Sequence, residues 1–258
     1  RDSSTSRGLG DVYKRQELTF QGRNAVLEAF RSGKTIDKLF ILDGCQDGPI
    51  KSIVREAKKT DAIINYVDKE RLDRLAGTGH HQGVVAIGAA YEYAEVEDIL
   101  AAAKEKGEDP FIFILDEIED PHNLGAIIRT ANLAGAHGVI IPKRRAVGLT
   151  ATVAKTSAGA INYTPVAKVT NISQTIEELK KQGLWFVCAD MGGETMYNLN
   201  LKGPIGLVIG NEGNGVSRLV KDKCDFIASI PMKGDIDSLN ASVAAGVLAY
   251  EIVRQRLN

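Results

Sequence analysis

The chain has 258 residues, of which 44% are apolar and 25% charged, and its formal net charge is −1. This length predicts one large domain or two modest ones, each able to bury a core. No apolar run is long enough to form a transmembrane helix. The cysteines Cys45, Cys188 and Cys224 are isolated and show no Cys-x-x-Cys spacing. That pattern argues against a disulfide framework or a zinc site and is typical of a reducing cytoplasm.

The first segment, RDSSTSRGLGDVYKRQ at residues 1–16, lacks apolar periodicity. We interpret it as a disordered or non-native extension and exclude it from the fold prediction. Residues 17–94 alternate between helical and strand patterns, which predicts a small α/β unit with a parallel or mixed sheet. The predicted helices span 23–33, 49–61 and 69–77, and the predicted strands span 38–44, 62–68 and 82–90.

Residues 95–110 are charged and rich in alanine and end in a Gly/Pro turn, so we interpret them as a short helix followed by a linker between domains. From 111 to 258 the alternation resumes with continuous apolar runs, which are typical of strands buried on both faces of a parallel sheet. The predicted strands span 111–116, 138–142, 184–190, 205–210 and 226–230, and the predicted helices 123–135, 150–158, 171–183, 216–222 and about 237–257.

The charge distribution is uneven although the net charge is nearly zero. Between Asp120 and Glu177 there is no acidic residue. An uncompensated positive surface favours a phosphate backbone, since binding to it releases counterions. This stretch therefore predicts a nucleic acid or another polyanion as the partner. Its cations are Arg129, Lys143, Arg144, Arg145, Lys155 and Lys168.

A first candidate motif is DPHNLGAIIRTANLAG at 120–135. Asn123 follows a proline turn, where we expect it to cap the N-terminus of a helix. Arg129 is the one charged residue on the apolar helix that follows, which predicts a buried guanidinium. A buried arginine requires an anion. The pattern therefore indicates either a structural pair with a carboxylate or a clamp for a phosphate or substrate.

A second candidate motif is IGLVIGNEGNGV at 205–216. A buried strand leads into a loop with Gly210, Gly213 and Gly215 around one carboxylate, Glu212. Glycines at the carboxyl end of a strand allow close backbone approach to a ligand. The spacing is not G-x-G-x-x-G, so a dinucleotide fold is a weak fit and another small-ligand site is favoured.

A third candidate motif is SIPMKGDIDSLNASVAAGVLAYEIV at 229–253. We expect Asp237 or Ser238 to cap the terminal helix. The first turns carry Ser238, Asn240 and Ser242 and are followed almost entirely by Ala, Gly and Val. Such small residues allow close backbone approach, so we expect this helix to pack into a core or a subunit interface.

Taken in this order, the three motifs resemble those of the SpoU (TrmH) family of RNA ribose 2′-O-methyltransferases, part of the SPOUT superfamily. DPHNLGAIIRTA resembles the first motif, VIGNEGNGV the second and SIPM…SLNASVAAG the third. The segments GRNAVLEAF and HHQGVVA are similar to the substrate-binding domain that precedes the catalytic domain in this family. The resemblance covers residues 18–258 and is strongest to the subgroup that methylates a guanosine of large-subunit (23S) rRNA.

The resemblance implies a parallel α/β catalytic domain at 111–258 whose C-terminal part forms a deep trefoil knot, preceded by a small RNA-binding domain. It implies S-adenosyl-L-methionine as the methyl donor, held by Gly210, Ile230 and Leu239 largely through backbone groups. Large-subunit rRNA and a second copy of the chain are the implied partners, in the cytoplasm. The histidines show no metal-site spacing, and the resemblance implies neither a metal nor a membrane.

The resemblance also implies catalytic or orienting roles for Asn123, Arg129, Glu212, Ser238 and Asn240. Because the pKa of an arginine stays above about 12, we expect Arg129 to bind the target phosphate and stabilise the developing oxyanion. Glu212 would hold Arg129 or the loop of the second copy. Asn123, Ser238 and Asn240 would orient the arginine, the ribose and the donor.

Three alternatives stay open from the sequence. The chain could methylate tRNA, although relatives that do so can lack the N-terminal domain. It could be a non-catalytic RNA-binding protein on the same fold, or, on the glycine loop alone, a nicotinamide oxidoreductase. In the N-terminal unit, Arg23, Arg31, Lys58 and Lys59 are candidates for RNA contact.

Overall fold

The computed structural model describes residues 18–258, so the predicted extension at 1–16 lies outside the described residues. The chain divides into two compact units. One extends to Glu92 and includes Gly148–Ala151, and the other comprises Tyr93–Val147 and Thr152–Asn258. The division between the units lies after residue 92, whereas the sequence predicts it across 95–110.

The N-terminal unit is built on a four-stranded sheet in the order β1-β4-β2-β3. Strand β4 is antiparallel to both of its neighbours, whereas β2 and β3 are parallel, so the sheet is mixed. The short strand β1 was not predicted. The elements are β1 (Leu18–Gln21), α1 (Arg23–Arg31), β2 (Ile36–Leu42), α2 (Gly48–Ala57), β3 (Ile63–Val67), α3 (Lys69–Ala76) and β4 (Val84–Gly88).

Side-chain alternation along the strands gives this sheet two apolar faces. On one face, Ile50 and Ile53 of α2 pack against Leu39 and Ile41 of β2. On the other face, Leu72 of α3 packs into a smaller cluster with strand residues of β2, β3 and β4. Helices α2 and α3 therefore lie on opposite faces of the sheet.

The C-terminal unit contains a six-stranded sheet in the order β10-β8-β9-β5-β6-β7, with every pair parallel. This confirms the predicted parallel sheet and adds the unpredicted strand β7. Its elements are α4 (Val96–Lys106), β5 (Phe111–Asp116), α5 (Pro121–Leu133), β6 (Gly138–Pro142), α6 (Ala151–Thr156), β7 (Val166–Val169), α7 (Ile172–Lys180), β8 (Trp185–Thr195), β9 (Ile205–Gly210), α8 (Arg218–Lys223), β10 (Phe226–Ser229) and α9 (Ala241–Leu257).

The segment predicted as a short helix and a linker is helix α4, and it belongs to the C-terminal core. Ile99 is fully buried in one cluster with Ile112, Ile114 and Ile140. A Cβ added at Gly138 would lie 2.6 Å from the side chain of Ile99, so the helix sits directly on the sheet. Burying Ile99 stabilises the unit by about 1.5–3 kcal/mol, a contribution that a flexible linker residue would not make.

Helix α9 packs against α5 and β9, as its small residues predict. Its buried residues include Ala245, Leu248, Ala249 and Ile252. Within residues 18–258, no helix has the length and apolarity needed to cross a membrane. The trefoil knot that the resemblance implies stays a prediction.

Candidate functional site

The site forms where two parallel strands end beside each other. Asp116, the last residue of β5, is in register with Gly210, the last residue of β9. Parallel strands bring their carboxyl ends to one edge of the sheet, where α/β proteins place their ligands. The Asp116 carboxylate is buried and accepts a 2.7 Å hydrogen bond from the Ser217 backbone N–H. It therefore attaches the far end of the glycine loop to the end of β5.

The loop after β9 folds back on itself. Asn211 accepts a 2.7 Å backbone bond from Gly215, and its side-chain oxygen accepts a 2.8 Å bond from Gly213 N–H. A Cβ at Gly210 would lie 2.2 Å from the Gly215 carbonyl carbon and the Val216 nitrogen. Gly215 has φ of +65°, a conformation that glycine adopts at no steric cost. The glycines therefore allow a compact loop that presents Glu212.

The three motifs meet at the Glu212 carboxylate, which belongs to the second motif and bonds one side chain from each of the other two. Glu212 Oε1 accepts a 2.9 Å hydrogen bond from Asn123 Nδ2, a second bond from Asn240 Nδ2, and a longer bond of 3.4 Å from Ala241 N–H. Asn240 Nδ2 also donates to Asn123 Oδ1 at 3.1 Å. The two amides and the carboxylate thus form a closed triangle. The loop after β9 is thereby joined to helices α5 and α9.

The helix caps differ from the predictions. Asp120, rather than Asn123, caps α5, since its side chain accepts from His122 N–H, and Pro121 occupies the first turn. Asn240, rather than Asp237 or Ser238, caps α9 by accepting from Ser242 and Val243 N–H. In both cases a cap-forming residue a few positions away makes the bond. Asn123 is instead the third residue of α5, in its first turn, and is buried.

A cavity of about 270 Å³ lies against this triangle. Every residue that the resemblance assigns to the donor pocket lines it, and so do Glu212 and Ser238. The cavity combines apolar side chains with three carboxylates, those of Asp190, Glu212 and Asp237. The site residues predicted from the sequence that line the cavity are Gly210, Glu212, Ile230, Ser238 and Leu239, and the lining residues that the sequence did not predict include Asp190, Met191 and Met232.

Arg129 lies outside this cluster. The prediction of a buried guanidinium is wrong, because Arg129 is exposed on α5. Within the described chain it forms neither a hydrogen bond nor an ion pair, and the Glu212 carboxylate contacts Asn123 and Asn240 instead. Arg129 is therefore a free cation on the helix that carries Asn123.

The acid-free stretch between Asp120 and Glu177 carries less unpaired positive charge than its sequence predicts. Arg145 forms a 3.3 Å ion pair with Glu117, which lies just outside the stretch. Lys168 lies with its Nζ 4.2 Å from the ring centroid of Tyr93. The Arg145 charge is thus paired with a carboxylate from just outside the stretch, and the Lys168 ammonium lies against an aromatic ring.

Sequence reasoning missed the contribution of β8 to the site. Asp190 lies in β8 and forms a 2.5 Å ion pair with Lys221 of α8. The hydrogen bond from Lys221 lowers the pKa of Asp190 below its ordinary value, and the pKa of Lys221 is raised in return. The available signal was topological, because β8 is parallel to β9 and places its later residues at the same edge.

Comparison with known proteins assigns this architecture to a family. The model of the SpoU rRNA methylase family matches residues 110–250, and a model for RNA 2′-O ribose methyltransferase substrate binding matches residues 21–94. The chain belongs to the SpoU/TrmH family of RNA methyltransferases. This confirms the family resemblance and the N-terminal substrate-binding domain that it implies.

Relatives of this SpoU/TrmH protein align over nearly the whole chain. YacO of Bacillus subtilis, whose name places it in the TrmH family of tRNA/rRNA methyltransferases, is 53% identical over 236 residues, 91% of this chain and 94% of YacO. A protein of the same description from Staphylococcus haemolyticus is 49% identical over 242 residues, 93% of this chain and 97% of that protein.

Solved structures share the fold. The SpoU methyltransferase AviRb of Streptomyces viridochromogenes, determined with the cofactor AdoMet, aligns with a TM-score of 0.59 and 26% identity over 93% of this chain and 91% of its own. The TrmH/SpoU tRNA modifying enzyme of A. aeolicus aligns with a TM-score of 0.53 and 29% identity, over 58% of this chain and 77% of its own.

Proposed function

We propose that this protein transfers a methyl group from S-adenosyl-L-methionine to a ribose 2′-hydroxyl of RNA, with a guanosine of 23S rRNA as the target. The observation that carries the proposal is the hydrogen-bonded triangle of Asn123, Glu212 and Asn240 beside the cavity. It brings one polar residue from each motif to the edge of the sheet where ligands bind. A structural role alone would not require a ligand-sized cavity at the same place.

The cavity fits the proposed donor in chemistry. Its volume of about 270 Å³ is near the lower end of small-molecule sites, which begin at about 300 Å³. Ile209, Ile230 and Leu239 offer apolar surface for an adenosine, and Asp237 offers negative charge for cationic groups, since the Asp190 carboxylate is already paired with Lys221. When bound, the donor supplies an electrophilic methyl group on a positively charged sulfonium.

Arg129 is proposed to bind the phosphate next to the target ribose. A guanidinium fork is suited to two phosphate oxygens, and Arg129 is exposed and makes no ion pair within the described residues. There it holds the hydroxyl oxygen in line for attack and stabilises the negative charge that develops on it. A guanidinium stays protonated in proteins and cannot act as a free base, so the hydroxyl proton passes to the bound phosphate or to water.

Glu212 is proposed to hold the loop rather than Arg129. Its carboxylate accepts from both amides, so the positions of α5 and the α9 start are set by one acceptor. Asn123 and Asn240 are then positioning residues for the surfaces that carry Arg129 and Ser238. Ser238 is exposed on the cavity lining, where its hydroxyl can bond the donor or the ribose.

The choice of rRNA over tRNA rests on the N-terminal unit and on the family model. Residues 21–94 match a substrate-binding model, and the C-terminal model carries the description of an rRNA methylase. The A. aeolicus tRNA modifying enzyme aligns with only 58% of this chain. A tRNA substrate is the second candidate, favoured by the shared tRNA/rRNA description of the relatives.

A homodimer in the cytoplasm is part of the same proposal. Helix α9 exposes Val243 and Tyr250, one heptad apart on one face, and Leu133 is exposed at the end of the neighbouring helix α5. These apolar side chains suit an interface. Light scattering of the full chain tests this, since Tyr250→Asp is expected to shift a dimer towards the monomer, whereas a wild-type mass of one chain contradicts it.

The deciding test is methyl transfer from labelled S-adenosylmethionine to protein-free large-subunit rRNA and, separately, to bulk tRNA. Products are scored as alkali-resistant dinucleotides, the signature of 2′-O-methylation. We expect label on rRNA that is lost with Arg129→Ala and kept with Lys181→Ala, a matched removal of an exposed cation. Label on tRNA alone overturns the rRNA assignment. Failure to bind the donor in calorimetry overturns the enzymatic proposal in favour of a non-catalytic RNA-binding protein.

A further inference from the structure

A second cavity lies in the N-terminal unit, away from every motif of the catalytic unit. Its volume is about 420 Å³, and it is lined by the face of α2, the loop before it and the edge strand β3. Lys51, Arg55 and Lys58 line it from the helix, Tyr66 from the strand and Gln46 from the loop. We refer to these five residues as the N-terminal cleft.

The three cations of the cleft form a row. Their spacing of four and then three residues places them on one face of α2 and its C-cap. All three are exposed, and within the described residues none of them forms an ion pair. The carboxylates nearest in sequence are already engaged, since Asp47 pairs with Arg23 at 2.5 Å and Glu56 with Lys59 at 3.0 Å. The row therefore presents uncompensated positive charge.

Tyr66 places an aromatic ring beside this row. Alternation along β3 puts Tyr66 on the same sheet face as Ile64, which packs in the core beneath α2. Tyr66 lies beyond that core and is 54% exposed, although an aromatic side chain of this size would gain from burial. An exposed ring next to unpaired cations is the arrangement with which proteins stack the bases and contact the phosphates of single strands.

We propose that the N-terminal cleft binds an unpaired nucleotide of the RNA substrate, with its base stacked on Tyr66 and the adjoining phosphates on Lys51, Arg55 and Lys58. The inference rests on the proposed function for the identity of the RNA. Gln46 offers an amide that can donate to or accept from the base edge. An acidic protein segment would satisfy the cations but would leave the tyrosine ring without a planar partner.

The cleft changes the candidate RNA contacts suggested by the sequence. Lys58 belongs to the cleft, whereas Arg23 and Lys59 form ion pairs with Asp47 and Glu56. Tyr66 and the row of cations on α2 are then the residues that would make binding of an unpaired nucleotide specific. General electrostatic attraction of RNA would not require them in this arrangement. The cleft is thus a determinant of which RNA region is recognised, separate from the chemistry of methyl transfer.

The test uses the full chain and a short single-stranded oligoribonucleotide labelled with a fluorophore, with the dissociation constant measured by anisotropy over a series of salt concentrations. The variants are Lys51→Gln with Arg55→Gln, and Tyr66→Ala with Tyr66→Phe. The matched control is Lys69→Gln with Arg74→Gln on α3, which removes two charges from the opposite face of the same sheet.

We expect the α2 double variant to lower the slope of log affinity against log salt by about 1.4, since each phosphate contact to a single strand contributes about 0.7. Tyr66→Ala is expected to weaken binding about tenfold, the scale of one lost base stack, and Tyr66→Phe to restore it. The α3 double variant is expected to match the wild type. Equal effects of the two double variants, or equal competition by duplex RNA, would overturn the proposed nucleotide site.

A methylation assay separates this inference from the proposed function. If the chain methylates RNA, the α2 double variant is expected to raise KM for RNA about tenfold with kcat at saturating RNA unchanged. Unchanged KM in an active enzyme contradicts the cleft alone. If the wild type transfers no methyl group yet binds the oligonucleotide through Tyr66, the cleft stands and the proposed enzymatic function fails.

Discussion

The candidate catalytic site and the N-terminal cleft, the two regions proposed to bind RNA, are assembled in opposite ways. The candidate catalytic site joins Asn123 to Glu212 and Asn240, which lie 89 and 117 positions away in sequence, through defined hydrogen bonds. The N-terminal cleft is assembled from one helix, its preceding loop and the next strand, with exposed and unpaired cations. The first region therefore depends on shape and bond geometry, whereas the second depends on charge and one aromatic surface.

The largest effect is expected from a single added methyl group in the catalytic unit. In Gly210→Ala, the new Cβ would lie 2.2 Å from backbone atoms of Gly215 and Val216 and force the loop away from the cavity. We expect donor binding to fall below detection in calorimetry. Gly213→Ala, whose Cβ would meet only a side-chain oxygen at 3.4 Å, is the control and should keep most of the binding. Equal donor affinities of the two variants would show that donor binding does not depend on the shape of this loop.

The next largest effect, on kcat, is expected from replacing the forked guanidinium of Arg129. Arg129→Lys keeps the charge but loses the two-pronged geometry, so we expect kcat to fall about 10²–10³-fold, the scale for losing one oxyanion donor. Because Arg129 is exposed and unpaired among the described residues, the melting temperature should not change. In the N-terminal cleft, by contrast, Arg55→Lys should bind RNA like the wild type. Near-normal turnover in Arg129→Lys would remove the proposed role.

Exchange of one buried amide for a carboxylate tests the triangle. Asn123→Asp removes the donor to Glu212 and places a buried carboxylate beside the exposed carboxylate of Glu212. We expect a loss of about 2–4 kcal/mol in the free energy of unfolding at pH 7, with part of it recovered at pH 5, where one carboxyl takes up a proton. Urea unfolding at both pH values measures this.

A matched change in the N-terminal cleft should have almost no effect on the free energy of unfolding. Lys51→Gln alters an exposed residue and should change the free energy of unfolding by no more than about 0.5 kcal/mol. A large loss here, or no loss for Asn123→Asp, would break the contrast between the two regions.

The smallest effect is a pH dependence in the C-terminal unit. His137 is buried, and its Nδ1 accepts a 3.0 Å hydrogen bond from the Phe111 backbone N–H at the start of β5. Burial lowers the pKa of His137 below its ordinary value of 6.5. The stability contributed by the neutral ring is therefore complete above pH 6.5 and is lost as the pH falls towards the lowered pKa.

Urea unfolding between pH 7.5 and pH 5 should show this loss. His137→Gln is expected to flatten the dependence, and His122→Gln, which changes an exposed histidine, is expected to leave it intact. An identical slope in His137→Gln would show that other groups control the acid sensitivity of the unit.

Much of the fold was predictable because continuous apolar runs report strands buried on two faces. The predicted strands 111–116 and 205–210 coincide with β5 and β9. Strands β1 and β7 were missed because each has four residues and includes polar ones, too few to show a period. The caps of α5 and α9 were misplaced because several cap-forming residues lie close together, and only the path of the backbone selects one.

The family resemblance, the two α/β patterns and the residues of the three motifs can be predicted from the sequence alone, because local spacing and residue type carry them. The packing of the elements brings Glu212 to Asn123 and Asn240 and leaves Arg129 exposed rather than buried. It also brought Asp190 to the cavity and Tyr66 to the row of cations on α2. The physical reason is that hydrogen-bond partners and exposure depend on how elements pack, which residue spacing along one element does not specify.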